Sequence, residues 1–169
     1  MPESANAFLS DAQFRAVVDL TPLISLDLIV KNQQGGVLLG KRNNRPAKGD
    51  WFVPGGRILK NETLAAAFLR LTQAELGLAV AMPQARYIGL YEHFYPDSIF
   101  GDKISTHYVV NAFELVLDTA LAALPEHLQE HLPEHLPRIQ HSDYAWWSVS
   151  DLLASDVVHT HTKWYFETN

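Results

Sequence analysis

Glu75 closes a helix-patterned run in which positions 71, 74 and 75 share one face, because residues three and four apart stack on the same side of a helix. A carboxylate on such a face can give oxygen ligands to a hard cation such as Mg²⁺ or Mn²⁺. Its neighbours on that face are Leu71 and Ala74, so the face holds one carboxylate and not a cluster. Arg42 and Arg57 flank residues 51–56, and arginine offers a diphosphate planar, permanently charged, paired donors. His141 directly follows Gln140, and an imidazole titrates near neutrality, as a general base requires. Asp27 interrupts the apolar run Leu26-Asp27-Leu28: against the core it would be costly unpaired, and against a cleft it could position a substrate. Tyr108 is open to two readings, strand packing or a hydroxyl donor to phosphate. His93 is likewise open to substrate contact or strand packing.

These side chains need elements to hold them. Ser10, Asp11, Phe14, Val17 and Val18 read as a short capped helix with an apolar stripe. A β-rich run at 23–30, a glycine turn at 33–36 and Val37-Leu38-Leu39-Gly40 read as a hairpin. Polar residues 42–50 lead into a short strand, Trp51-Phe52-Val53, which Pro54-Gly55-Gly56 breaks. From Asn61 to Leu76 the apolar positions Leu64, Ala67, Phe68 and Leu71 recur at helical spacing, and Gly77 sits where a helix C-terminal glycine belongs. Strands follow at 86–95 and 106–117, joined by a Pro/Asp/Gly loop, then a last strand at 144–149 and short helical pieces at 150–154 and 158–166. Strands and helices alternate without a βαβ rhythm, which predicts an α+β fold with a mixed sheet flanked by helices.

Composition narrows the function. At 169 residues, 47% apolar and 19% charged, one globular domain spanning 1–169 is expected. A net charge of −6 gives no general basic field for a nucleic-acid polymer, so phosphate-binding charge must be local. The absence of cysteine excludes disulfides and cysteine-based metal sites. Residues 1–7 lack a secretory pattern, and no apolar run approaches the roughly 20 residues needed to cross a bilayer. The expectation is a cytoplasmic enzyme with no membrane partner. Segment 120–138 contains Glu-His-Leu at Glu126, Glu130 and Glu134; Pro133 and Pro137 interrupt any long helix, and the segment reads as a surface insertion without a catalytic role.

Gly56, Glu62, Arg70, Glu75, Gly77 and Leu78 resemble the Nudix box, Gly-x5-Glu-x7-Arg-Glu-U-x-Glu-Glu-x-Gly-U with U aliphatic, which here spans 56–78. Leu71 and Ala74 replace two of its glutamates. That departure is similar to one branch, the GDP-mannose mannosyl hydrolases. The likeness extends to Thr21-Pro22-Leu23, Leu39-Gly40-Lys41-Arg42, Asn44-Arg45-Pro46, Trp51-Phe52-Val53-Pro54-Gly55-Gly56-Arg57, Thr106-His107-Tyr108 and Gln140-His141.

The resemblance implies a Nudix fold, an α/β/α sandwich, and one Mg²⁺ or Mn²⁺ ion per subunit held by Glu75, the Gly55 carbonyl and Gln140. It implies His141 as general base, with Arg42, Arg57 and Tyr108 on the diphosphate; Asp27 and His93 stay open as candidates for contact with the sugar. Segment 8–18, through Phe8, Leu9 and Phe14, would contribute to the nucleotide pocket, where an aromatic ring can stack on guanine. Glu62 and Arg70 read as a structural ion pair, and Arg45 as a solvated arginine. A homodimer is expected from the family. The implied reaction is hydrolysis of GDP-mannose to GDP and free sugar, by water attack at the anomeric carbon with inversion. The alternatives are a conventional Nudix pyrophosphohydrolase attacking phosphorus and a non-catalytic nucleotide-sugar-binding module.

Overall fold

The alternating pattern of residues 23–31 produces β1 (Leu23–Lys31), whose Leu26, Leu28 and Val30 point to one face and Leu23, Ser25, Asp27 and Ile29 to the other. A computed structural model describes residues 9–118 and 141–167, for 141 and 142 the backbone alone. A turn follows β1, in which the Asn32 side chain accepts from the Gln34 and Gly36 amides at 3.1 and 2.8 Å while Gly35 takes φ +82°. It reverses the chain into β2 (Val37–Arg42). The two strands share the single pair Lys31↔Val37 and then part.

Two short strands fill the opened edges. β3 (Trp51–Phe52) pairs with β2, and β4 (Gly55–Arg57) pairs with β1. β4 was not expected, since Pro54-Gly55-Gly56 carries no strand pattern of its own. Its pairing comes from β1, whose Ser25, Leu26 and Asp27 oppose Arg57, Gly56 and Gly55. β5 (Arg86–Tyr95) and β6 (Thr106–Val116) extend the other side, with β6 parallel to β1 along its full length. β7 (His141–Trp147) pairs with β2, completing a mixed seven-stranded sheet. The expected strand at 144–149 thus starts and ends earlier, because Ser148 caps the next helix by accepting from the Asp151 amide.

Helices cover both faces. α2 (Leu64–Leu76) packs Ala67, Phe68, Leu71 and Leu76 onto Leu26, Leu28, Val30, Leu38, Phe113 and Leu115. It begins three residues later than its periodicity predicts: Asn61 sits at φ +65°, off the helical path, and the Thr63 hydroxyl caps by accepting from Ala66 N–H. Gly77 ends it in the left-handed conformation at φ +70°. On the opposite face, α3 (Val149–Ala154) and α4 (Thr160–Lys163) cover Ile29, Val37, Leu39 and Ala112 through Leu152 and Val158. The helical stretch expected at 158–166 is therefore a single turn followed by further turns. α1 (Asp11–Leu20) starts with a capping box between Ser10 and Gln13 and packs Val18, with Phe14 and Val17, beside Leu23 and Ile104. A short 3₁₀ turn, Met82–Gln84, precedes β5. This is the expected α+β, α/β/α sandwich. The 120–138 segment lies outside the described residues. No helix among the described residues is long and apolar enough to cross a membrane.

Candidate active site

Where β1 and β2 part, a cavity of about 600 Å³ opens on the sheet face away from α2. Pleating dictates who enters it. Leu23, Ser25 and Asp27 of β1, Thr106, Tyr108 and Val110 of β6, and His93 and Tyr95 of β5 all line it at two-residue spacing. Leu9, Phe14, Arg42, Arg57 and Gly55 line it as well. Eight of the residues singled out from the sequence therefore border one space: Leu9, Phe14, Asp27, Arg42, Gly55, Arg57, His93 and Tyr108.

The two arginines enter from different sides. Arg42, at the end of β2, lies with its guanidinium carbon 5.3 Å from the Phe52 ring centre. Its Nε is buried and finds no hydrogen-bond partner among the described residues. A buried N–H without a partner costs free energy, which an anion in the cavity would recover. Arg57, on β4, stacks over Phe14 of α1 at 4.5 Å. Phe14 also meets Phe100 edge-on at 5.7 Å, so an aromatic pair flanks this end. Burial raises the Tyr108 hydroxyl above its usual range and keeps it a proton donor at neutral pH.

At the other end sits Asp27. Burial pushes its carboxyl up to about 6, against a hydrogen bond from the Tyr165 hydroxyl and the positive charge of Arg42. His93 is buried, and its ring stacks on His161 at 4.3 Å. Burial holds its imidazole down to about 3, and the neighbouring His161 and His159 add to the effect, so it is neutral at physiological pH.

Gly55 and Gly56 fix the approach of β4 to both layers. A side-chain carbon at Gly55 would lie 2.3 Å from the Leu26 carbonyl oxygen and 2.7 Å from Asp27 Oδ1. One at Gly56 would lie 2.5 Å from a methyl of Leu71. The loop before α2 is tied by Glu62, which accepts from Arg70 Nε and Nη2 at 2.6 and 2.9 Å and from Leu59 N–H at 2.9 Å. Arg70 also donates to the Arg57 carbonyl at 2.9 Å. The expected structural ion pair is present, and it reaches the strand that carries the cavity arginine.

Glu75 does not border the cavity. Burial against the sheet pushes its carboxyl up to about 7, opposed by Arg42, and its charge is felt by the Tyr144 hydroxyl. Arg42 thus bears on both carboxylates. No group of three or more His, Cys, Asp or Glu side chains that could hold a metal exists among the described residues. The set of acidic donors on this face of the helix is the single Glu75 carboxylate. That set suits a single hard cation whose remaining ligands are carbonyl, amide, water or phosphate oxygens, and a cation there would relieve the cost of ionising Glu75.

The backbone of residue 141 pairs with Arg42. The side chains of Gln140 and His141, and Phe8, lie outside the description. Arg45 is exposed, as its reading as a solvated arginine expects, though it also borders the cavity and pairs with Asp102 and, at 3.9 Å, with Asp97. Its partners lie more than 50 residues away, so local sequence gave no sign of them. Tyr165 was also missed. It donates to Asp27 across 138 positions, and the pattern of 158–166 does not distinguish it from a packing residue.

A sequence model of the NUDIX domain matches residues 21–167. The chain is 46% identical over 110 residues to the low-salt glycan biosynthesis protein Agl8 of Haloferax volcanii, covering 65% of this chain and 69% of that protein. Among solved structures it is similar to a MutT protein from Methanosarcina mazei (TM-score 0.60, 19% identity, 86% and 91% of the two chains). It is also similar to the NUDIX domain of Shewanella oneidensis NrtR complexed with ADP ribose (TM-score 0.56, 20% identity, 90% and 92%). At these identities the structural likenesses speak for the fold.

Proposed function

The chain belongs to the Nudix family of hydrolases, and from that premise we propose that it hydrolyses GDP-mannose to GDP and free mannose by attack of water at the sugar carbon. The observation that carries the reading is the packing of the box helix. Leu71 is 4% exposed and seated against Gly56, and Ala74 is exposed, so Glu75 is the one carboxylate that face retains. Activating water at phosphorus calls for a carboxylate cluster that this helix lacks. Attack at carbon needs only a stabilised leaving group and a base set apart from it.

Arg42 and Arg57 would bind the diphosphate, with Arg42 supplying the Nε that lacks a partner among the described residues and Tyr108 donating a hydroxyl hydrogen bond. Phe14, already under a cation, offers its ring to the base. A single Mg²⁺ or Mn²⁺ held by Glu75, the Gly55 carbonyl and Gln140 would supply positive charge to the departing GDP. His141 takes a proton from water, the water oxygen bonds to the anomeric carbon, and the carbon–oxygen bond to the diphosphate breaks with its electron pair leaving on GDP. Attack opposite the leaving group inverts the centre and yields β-mannose. Asp27 and His93 would hold the sugar at the inner end of the cavity. The name of the Agl8 relative, a glycan biosynthesis protein, agrees with a sugar-nucleotide substrate.

Hydrolysis in ¹⁸O-water with Mg²⁺ tests this. Label on mannose, with GDP as co-product, is expected. Label on phosphate with GMP formed would identify a pyrophosphohydrolase, and saturable binding without turnover would identify a binding module.

A further inference from the structure

We propose that Tyr165 is a positioning residue for the active site, its hydroxyl holding the Asp27 carboxylate with one oxygen left to the cavity; the role in turnover rests on the function proposed above. The C-terminal segment is anchored before it reaches Asp27. Trp51 N–H donates to the Val157 carbonyl at 2.8 Å, and His159 N–H donates back to the Trp51 carbonyl at 3.2 Å, stitching the segment to β3. His159 Nδ1 then caps α4 by accepting from His161 N–H at 3.1 Å. Past α4, Phe166 N–H returns to the Lys163 carbonyl at 2.9 Å, and the Tyr165 ring meets Tyr91 edge-on at 4.7 Å. The phenol is therefore delivered by a fixed backbone and a fixed ring.

Its hydroxyl lies 2.5 Å from Asp27 Oδ2 and 3.3 Å from His93 Nε2. A phenol has one proton to give. Burial, with the Asp27 charge adding to it, raises the Tyr165 hydroxyl far above its usual range, so the proton stays on oxygen and is directed to the carboxylate. The phenol oxygen is then free to accept from His93 Nε2–H, a neutral imidazole. The resulting chain, His93 to Tyr165 to Asp27, occupies Oδ2 and leaves Oδ1 on the Gly55 side, in space that exists because residue 55 has no side chain. Asp27 has freedom about two side-chain torsions, and among the described residues the Tyr165 hydroxyl is the group that hydrogen-bonds Oδ2.

Tyr165→Phe removes the hydroxyl and keeps the ring against Tyr91. In the wild-type background kcat for GDP-mannose should fall about tenfold, the scale of one hydrogen bond to a charged acceptor, with KM changed less than about threefold. In an Asp27→Asn background the same change should cost less than about twofold. An unchanged kcat, or an equal loss in both backgrounds, would overturn the proposal. The crystal structure of the Tyr165→Phe protein gives a readout independent of turnover: Asp27 should leave its wild-type side-chain conformation, and an unmoved carboxylate would overturn the proposal also. If the wild-type protein does not hydrolyse GDP-mannose, the functional reading fails on that result, while the crystal structure still decides whether Tyr165 holds Asp27.

Discussion

Replacing His161 by Phe should reverse part of the protein's response to acid, and the size of the reversal follows from burial. His93 and His161 are 3% and 6% exposed, stacked at 13° between planes, with Tyr95, His159 and Trp164 packed around His161. Burial holds His93 down to about 3 and His161 to about 4 in the folded protein. In the unfolded chain both titrate near the ordinary value of about 6.5. Between those limits the unfolded chain binds protons that the folded protein does not. Stability from each neutral ring is complete above about pH 6.5 and is lost as pH falls. From pH 7.5 to 5.0 the loss is about 2 kcal/mol for each of the two rings. Against a typical total of roughly 5–15 kcal/mol this is a large effect.

Asp27 and Glu75 act with the opposite sign. Their folded values, about 6 and about 7, exceed those of free carboxylates, so the folded protein takes up protons that the unfolded chain does not over the same interval. They return roughly 1–2.5 kcal/mol each by pH 5.0. The wild-type profile is thus a near-cancellation and is uninformative alone. The difference between proteins is informative. His161→Phe also removes the buried Nδ1 that lacks a partner among the described residues. Urea unfolding of both proteins at pH 7.5 and 5.0, in EDTA, should show the variant gaining about 2 kcal/mol relative to wild type at the lower pH. Any change in absolute stability drops out of that comparison. Equal pH responses, or an NMR titration of His161 with a midpoint near 6.5, would refute the reasoning.

The glycines of β4 predict a contrast. Gly56→Ala meets only the end of Leu71 and should cost about 1–2 kcal/mol by thermal or urea unfolding, with little further cost in a Leu71→Ala background. Gly55→Ala meets the Leu26 carbonyl, which β-pairing fixes, and should cost about 3 kcal/mol or more. Glu62→Gln loses the charge that Arg70 binds and should destabilise by about 1–2 kcal/mol at pH 7. The Arg70 hydrogen bonds hold Glu62 below the usual carboxylate range, so the wild-type advantage is present at neutral pH and should fade as acid protonates Glu62.

What the sequence made legible was whatever its own neighbourhood determines. The capping box at Ser10, the glycine stop at Gly77 and the limits of β5 are each set by residues within a turn or a strand, and each lies where local pattern places it. The cavity lining was legible for a related reason: once β1 and β6 run parallel, the pleat decides that Asp27 and Tyr108 share a face. β4, the ion-pair partners of Arg45 and the role of Tyr165 were not legible, because each depends on residues distant along the chain. Leu71 shows why both kinds of information are needed. By spacing alone it is equally a lost metal ligand and a core residue. Its contact with Gly56, together with its place among Leu26, Phe68 and Leu76, makes it part of the layer that fixes β4 against α2. The position that gathers a carboxylate in the ordinary box is here committed to packing. The Gly56 backbone approaches so closely that a charged side chain in Leu71's place would be buried against apolar neighbours. The loss of that glutamate is thus explained by the core of this chain, and Glu75 is the carboxylate this face of the helix keeps.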